Sequence, residues 1–321
     1  MCAQWRDKMP KINLLSSEKY AYMKQLLLQK SKNFTDIAIE HKKFPDGEHY
    51  YRIENSQQIH GKPAVYIAGT IDDESIFEAY NICCTLVREG CSALHLVIPY
   101  FGYSTMERAT KEGENVSAKN IAHMFSSIPS SLQGNYIYMV DLHSQGTQYY
   151  FEQNIHPVQL TAEPVIDRII KDIRRHHKDV VIASADMGRA KLVEKISNHL
   201  NIDSAYIMKK RLSGSKTVIE ALNADVKGRN VIIFDDMIRS GSSIINAAKA
   251  YKSIGAKDIF ILCVHGVFVK GAIEQLKSCK AIKAVYCTNT HAKTEQVKDE
   301  FVKIYDMSEI LIKELKTNVK D

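Results

Sequence analysis

The residues best suited to chemistry lie between Val231 and Ile245, in the run VIIFDDMIRSGSSII. Four apolar residues, Val231–Phe234, read as a buried strand, and two acids, Asp235 and Asp236, follow at its carboxyl end. Open α/β sheets bind ligands at that edge. Arg239, Ser240, Gly241, Ser242 and Ser243 then turn the chain towards a helix. Small residues at a helix start offer backbone N–H groups and hydroxyls to an anion. Carboxylates accept hydrogen bonds from neighbouring hydroxyls. The combination describes a sugar phosphate held by its phosphate and its vicinal hydroxyls. The plainer alternative is a pair of solvated acids at an ordinary strand end.

The elements needed to position such a site recur along the chain. Short β-rich runs are expected at Ile37–Glu40, Val65–Ala68, Leu94–Ile98, Tyr136–Asp141, Val180–Ser184, Ser204–Met208, Val231–Asp235, Asp258–Val264 and Ala284–Cys287. Several are continuously apolar, as parallel strands covered on both faces are. Helical spacing of apolar residues predicts helices at Ser75–Glu89, Ala162–Arg175, Ala190–Leu200, Ser243–Ser253 and Ser308–Lys316. The alternation occurs once before about residue 150 and again after it. It predicts an α/β protein of two similar, doubly wound domains with mainly parallel sheets.

Length and composition set the outer bounds. A chain of 321 residues with 45% hydrophobic content suits about two domains. It excludes disordered and low-complexity classes. No apolar run approaches the roughly 20 residues of a membrane span, and the amino terminus carries no apolar signal core. A soluble, cytoplasmic protein is expected. The net charge of +6 is mild, and no basic run interleaved with aromatics indicates nucleic acid. Seven cysteines without CxxC spacing read as buried, reduced thiols rather than metal ligands.

The segment around Asp235 resembles the phosphoribosyl-binding motif of the type I phosphoribosyltransferase superfamily. Phe44-Pro-Asp-Gly-Glu48, Ile98-Pro-Tyr-Phe-Gly-Tyr103, Asp141-Leu-His143, Ser184-Ala-Asp186 and Ala205-Tyr-Ile-Met-Lys-Lys-Arg211 occur in that order. The set, over roughly residues 35–270, resembles the ordered motifs of the ribose-phosphate pyrophosphokinases, the PRPP synthetases. The resemblance implies a duplicated phosphoribosyltransferase-like fold. Its halves would be residues 1–150, on the ATP side, and 151–305, holding the ribosyl phosphate, with a helix at about 306–321 packing back on the first. It implies Mg²⁺-dependent transfer of the β,γ-diphosphoryl group of ATP to the anomeric hydroxyl of ribose 5-phosphate, leaving AMP.

Residue by residue, Phe44, Asp46 and Glu48 match the turn that reaches adenine from a neighbouring subunit, which implies a homodimer or a hexamer of dimers. Arg108 and His143 match ATP-side residues, and His143 and Asp186 the magnesium-associated ones. Lys209 and Arg211 match the catalytic Lys-x-Arg pair. Asp235 and Asp236 would hold the ribose hydroxyls, and Arg239, Ser240, Gly241, Ser242 and Ser243 the phosphate. Each has a plainer reading: an Asp-Gly turn at 46–47, a structural histidine, an N-cap at Asp186, and a solvated basic cluster at 209–211.

Two departures from the family pattern stand out. Thr105 and Met106 occupy the place of an Arg-Gln pair that contacts ATP, and Thr cannot supply a guanidinium fork. The polar run Tyr103–Val116 reads as a lid over ATP. In the phosphate loop, Arg239 stands where the family commonly has Asp. The added cation suits ADP-ribose, whose 5-phosphate continues into a diphosphate, as an alternative acceptor that would give ADP-ribose pyrophosphate for NAD resynthesis. The competing classes are a non-catalytic regulatory homologue, a PRPP-consuming phosphoribosyltransferase and a PRPP-sensing DNA-binding regulator. Retention of the candidate residues disfavours the first. Two domains and the Phe44 turn disfavour the second, and lack of a basic helix-turn-helix the third.

Overall fold

The computed structural model describes residues 11–152, 155–211, 217–222 and 225–319, with the backbone alone at 207–211 and 217–222. Two compact units form: one from the described residues up to Thr161 together with those from Ser308 onward, the other from Ala162 to Met307.

The first unit contains β1 (Ile12–Ser16), α1 (Ala21–Lys30), β2 (Phe34–Asp36), β3 (Ile39–Lys43), β4 (His49–Ile53), β5 (Ala64–Ile67), α2 (Asp73–Arg88), β6 (Leu94–Ile98), α3 (Ser117–Ser126), β7 (Asn135–Val140) and β8 (Ile155–Leu160). The second contains α4 (Glu163–His176), β9 (Val180–Ser184), α5 (Ala190–Leu200), β10 (Asp203–Arg211), β11 (Thr217–Leu222), β12 (Asn230–Ile238), α6 (Ser242–Ser253), β13 (Ile259–Gly266), α7 (Ala272–Ser278), β14 (Ile282–Thr288) and β15 (Val302–Tyr305). The terminal helix α8 (Ser308–Asn318) belongs to the first unit, where Lys30 of α1 pairs with Glu309 at 3.5 Å.

The first sheet runs β2-β1-β5-β6-β7-β8 and is parallel throughout. The second runs β11-β10-β9-β12-β13-β14-β15, parallel except for the β10–β11 pair. Leaving out β11, the two have the same wiring: β1, β2, β5, β6, β7 and β8 correspond to β9, β10, β12, β13, β14 and β15. The duplication is therefore visible in topology as well as in hydrophobic pattern. All five residues of β6 and of β9, and all eight of β13, are buried. Helices cover both faces of such strands, so alternation gives way to continuous apolar runs. Helix α4 buries Val165, Ile166, Ile169, Ile170 and Ile173 along one stripe, and α2 begins where the Asp72 carboxylate accepts from the Ser75 N–H at 2.9 Å.

Several boundaries differ from expectation. The run Ile37–Glu40 is not one strand. Ile37 still bonds β1 through its N–H to the Leu14 carbonyl, at 3.0 Å, and a separate hairpin begins at Ile39. Strand β12 continues past Asp235 to Ile238, because β13 goes on pairing as far as Gly266. Strand β10 likewise runs through Lys209 to Arg211, paired with β11. Among the described residues, Cys83, Cys91, Cys263, Cys279 and Cys287 are buried and Cys84 half-buried, all as free thiols. No helix among them is long and apolar enough to cross a membrane.

Candidate active site

The chain leaves β9 through α5 towards one edge of the second sheet and leaves β12 through α6 towards the other. The crevice between neighbouring strands that diverge in this way lies outside their carboxyl ends and is the favoured ligand position in open α/β sheets. The loops after β9 and β12 carry Asp186 and Arg239–Ser243. Strand β9 pairs with β12 only as far as Phe234, so Asp235 to Ile238 extend beyond it, held by β13 alone. The β13–β14 end is fixed by buried bonds: the Thr288 and Thr290 hydroxyls donate to the Val264 carbonyl at 2.7 and 3.3 Å.

Asp235 and Asp236 have side-chain exposures of only 17% and 7%, and the Asp236 N–H donates to the Asp235 carboxylate at 2.9 Å. Burial, then the adjacent Asp236, pushes the Asp235 carboxyl well above the usual range; the Arg189 charge opposes the shift. Arg189 lies across both acids, 2.6 Å from Asp236 Oδ2 and 3.8 Å from Asp235 Oδ1. The sequence reading missed Arg189. Its only signal was its position, three residues after Asp186 in the loop that faces the acids. The two acids, under the one guanidinium, form a compact cluster of acceptors at the strand end.

The phosphate loop follows. Gly241 adopts φ +80° and caps α6, and a Cβ there would meet the Leu276 side chain at 2.9 Å, so both backbone and space demand glycine. The Ser240 and Ser242 hydroxyls are 3.1 Å apart, and Ser240, Ser242 and Ser243 are exposed at the helix start. Arg239 is exposed beside them. Asp186 caps the short turn Met187–Arg189, accepting from the Gly188 N–H at 2.9 Å. Its capping alternative is thus realised, with the side chain half-buried at the crevice. Lys209 and Arg211 alternate along β10 and so share a face, opposite Ile219 and Thr217 of β11; their side chains lie outside the described residues.

The remaining candidates belong to the first unit. Arg108 and His143 follow neighbouring parallel strands, β6 and β7, and so lie at one end of that sheet. Arg108 is 77% exposed, 3.6 Å from Glu107. His143 is half-buried, and Asp141 before it takes φ +37°, an uncommon conformation for a non-glycine residue at a strand end. The turn between β3 and β4 is closed by Phe44 N–H to Glu48 O at 2.8 Å and by Asp46, which accepts from the Glu48 N–H at 3.0 Å. It carries Phe44 47% exposed, with Asp46 and Glu48 also exposed. At Gly102 an added Cβ would lie 1.9 Å from the Thr70 carbonyl, which accounts for glycine in the Pro-Tyr-Phe-Gly motif.

Comparisons with known proteins identify the family. Residues 12–128 match the family model of the N-terminal domain of ribose phosphate pyrophosphokinase, and residues 166–319 that of the phosphoribosyl synthetase-associated domain. A ribose-phosphate pyrophosphokinase of Pyrococcus abyssi is 34% identical over 259 residues, covering 79% of this chain and 84% of its own length. One from Pyrococcus furiosus is 34% identical over 257 residues, covering 78% and 85%. The crystal structure of phosphoribosylpyrophosphate synthetase from Mycobacterium smegmatis shares the fold, with TM-score 0.84 at 22% identity over 96% of this chain and 98% of that one. On these matches, the chain belongs to the ribose-phosphate pyrophosphokinase family.

Proposed function

We propose that the chain is an ATP-dependent diphosphotransferase that makes PRPP and AMP from ATP and ribose 5-phosphate. The observation that carries the reading is the Asp235–Asp236 pair, half-buried at the first and buried at the second, beside the Gly241 loop at the crevice between β9 and β12. The acids accept the vicinal ribose hydroxyls, and the N–H groups and hydroxyls of Ser240–Ser243 receive the 5-phosphate. The anomeric oxygen attacks the β-phosphorus and gives up its proton to water, the bond from that phosphorus to the α,β-bridging oxygen breaks, and AMP leaves with that oxygen. Lys209 and Arg211 supply cationic charge to the transferred group, since such transfers rest on positioning and electrostatics. Phe44, Asp46 and Glu48 form an exposed, self-braced turn suited to reaching a neighbouring subunit's ATP, which favours a homo-oligomer. Arg108 and His143 serve the ATP side of the first unit.

Mg²⁺ suits the donor chemistry, because the Asp186 carboxylate offers hard oxygens and magnesium tends to keep its remaining waters. The family resemblance also assigns His143, in the first unit, to the metal. When bound, the ion would neutralise the triphosphate.

A second reading has ADP-ribose as acceptor. It is favoured by exposed Arg239 beside the phosphate loop, placed to meet the extra phosphate. Incubation with ATP, Mg²⁺ and either acceptor decides between them by AMP release. Ribose 5-phosphate is expected to yield AMP; AMP with ADP-ribose alone would overturn the preferred acceptor, and none with either would overturn the enzyme reading. Arg239→Asp is expected to lower ADP-ribose use at least tenfold more than ribose 5-phosphate use, the scale of one charge-assisted contact. Equal losses would remove Arg239 from substrate choice.

A further inference from the structure

We propose that His41, His49 and Glu74 form a binding site for a borderline transition-metal cation of the Zn²⁺ class, which tethers the β3–β4 hairpin to helix α2. The three side chains come from three separate stretches of chain, yet one donor atom from each lies within 4.8 Å of the others. His41 Nε2 is 2.8 Å from His49 Nδ1, and His49 Nε2 is 3.5 Å from Glu74 Oε1.

The hairpin register makes this juxtaposition. His41 pairs with Tyr51 and His49 with Lys43, so the two histidines share one face at diagonal positions. The opposite face carries Glu40, Lys42 and Arg52, joined by ion pairs of 2.5 and 2.6 Å. The two faces therefore differ: ion pairs on one, and on the other the two imidazoles with Tyr51 and Lys43. Tyr51 stacks on both rings, with centroids 4.8 Å from His41 and 6.0 Å from His49, and restrains them. Glu74 lies in the first turn of α2. One turn further on, Glu78 accepts from the Tyr66 hydroxyl at 2.9 Å, which adds a carboxylate on the same side of that helix.

Ligand chemistry selects the cation. Two imidazoles and one carboxylate suit Zn²⁺, with water in the fourth position, and suit Mg²⁺ poorly. Tetrahedral nitrogen ligands at about 2.0–2.1 Å from the ion sit roughly 3.3 Å apart. Ligation through His49 Nδ1 needs the two rings to open by about half an ångström and the exposed Glu74 carboxylate to turn from Nε2 towards the ion. His49 has 13% side-chain exposure and Glu74 47%, so the ion can enter from solvent. The site lies at the base of the Phe44–Glu48 turn, and its occupancy fixes the angle at which that turn leaves the first unit.

The experiment uses the full chain without an affinity tag, stripped with chelator and titrated with Zn²⁺ by calorimetry in excess Mg²⁺, and separately with Co²⁺ by absorption. One equivalent of Zn²⁺ is expected to bind, with a tetrahedral Co²⁺ spectrum. His41→Gln with His49→Gln is expected to abolish that spectrum and weaken Zn²⁺ at least 100-fold. Glu74→Gln, a milder change at an exposed position, is expected to weaken it about tenfold. Failure of the wild type to bind one equivalent in the presence of Mg²⁺ would overturn the proposal. So would a double histidine variant that binds as the wild type does. Because the readout is metal binding, it stands or falls independently of the proposed activity.

Discussion

Asp235→Asn and Asp236→Asn are each expected to lower kcat/KM for ribose 5-phosphate about 100-fold, while moving stability in opposite directions. For Asp236 the activity loss follows from replacing a charged acceptor of a sugar hydroxyl by a neutral amide. For Asp235, whose carboxyl is held above its ordinary range without substrate, it follows from removing the ionised form that a bound hydroxyl would select. A hydrogen bond to a charged group is worth about 1.5–3 kcal/mol, and 1.4 kcal/mol is tenfold in rate. The stability effects differ because the two acids have different surroundings. Asp236 takes the short 2.6 Å contact from Arg189, so the Asn variant weakens an ion pair that is mostly shielded from water. Asp235 sits 3.8 Å from Arg189 and beside another carboxylate, and its carboxyl is held above its ordinary range chiefly by burial.

The sign for Asp235 follows from linkage. A group whose folded pKa is raised binds its proton more tightly when folded. Its contribution is fully present below the unfolded value, near 3.9, and is lost as pH rises through the folded value. At neutral pH and above, Asp235→Asn is therefore expected to raise the unfolding midpoint, and Asp236→Asn to lower it. Denaturant titrations near pH 8 beside steady-state kinetics check both halves. Full activity in either variant would contradict the assignment of the acids to the ribose hydroxyls.

The first unit is expected to lose about 2 kcal/mol of stability between pH 7 and pH 5 through one histidine. His95 lies on β6 with 1% exposure, its Nδ1 3.0 Å from the Tyr138 hydroxyl and its Nε2 buried without a partner. It stacks on Tyr136 with ring centroids 4.9 Å apart. Burial brings its pKa down to about 4. The folded state thus binds fewer protons than the unfolded state, whose histidine titrates near 6.5. Stability is retained above that value and falls as pH drops towards 4, where the penalty reaches about 3 kcal/mol. Hydrogen exchange of the β6 and β7 amides reads this unit separately from the second. His95→Phe is expected to flatten the slope relative to wild type, because it removes the titrating group while keeping an aromatic ring. An unchanged slope would show that His95 takes up its proton without opening the sheet.

The buried strands were legible because parallel strands under two layers of helix are apolar at every position. Leu94–Ile98 and Val180–Ser184 coincide with β6 and β9. Elements at sheet edges carried weaker patterns. Strand β8 contains Pro157, tolerated because it lies at the edge of its sheet. Helix α1 buries only Met23 and Leu27, so no clear stripe marks it. The hairpin β3–β4 is mostly exposed and polar, and only its Asp-Gly turn was visible.

In the candidate site, the acids and the glycine loop were readable because their residue types are unusual next to a buried strand. Arg189 was not, because a single arginine after a capping turn looks like surface charge. Only the fold, which sets the loop after β9 against the overhang of β12, brings it onto Asp236. The histidines of the hairpin were hidden in the same way: positions 41, 49 and 74 are brought together by strand register and by the start of α2.

The central claim is transfer of a diphosphoryl group as one unit to an anomeric hydroxyl. Phosphorus NMR of the full chain with ATP, Mg²⁺ and ribose 5-phosphate tests it most directly. The expected result is AMP and a 1-diphosphorylated ribose 5-phosphate in equal amounts, with no ADP. Formation of ADP with a singly phosphorylated sugar, or of AMP with free pyrophosphate alone, would contradict it.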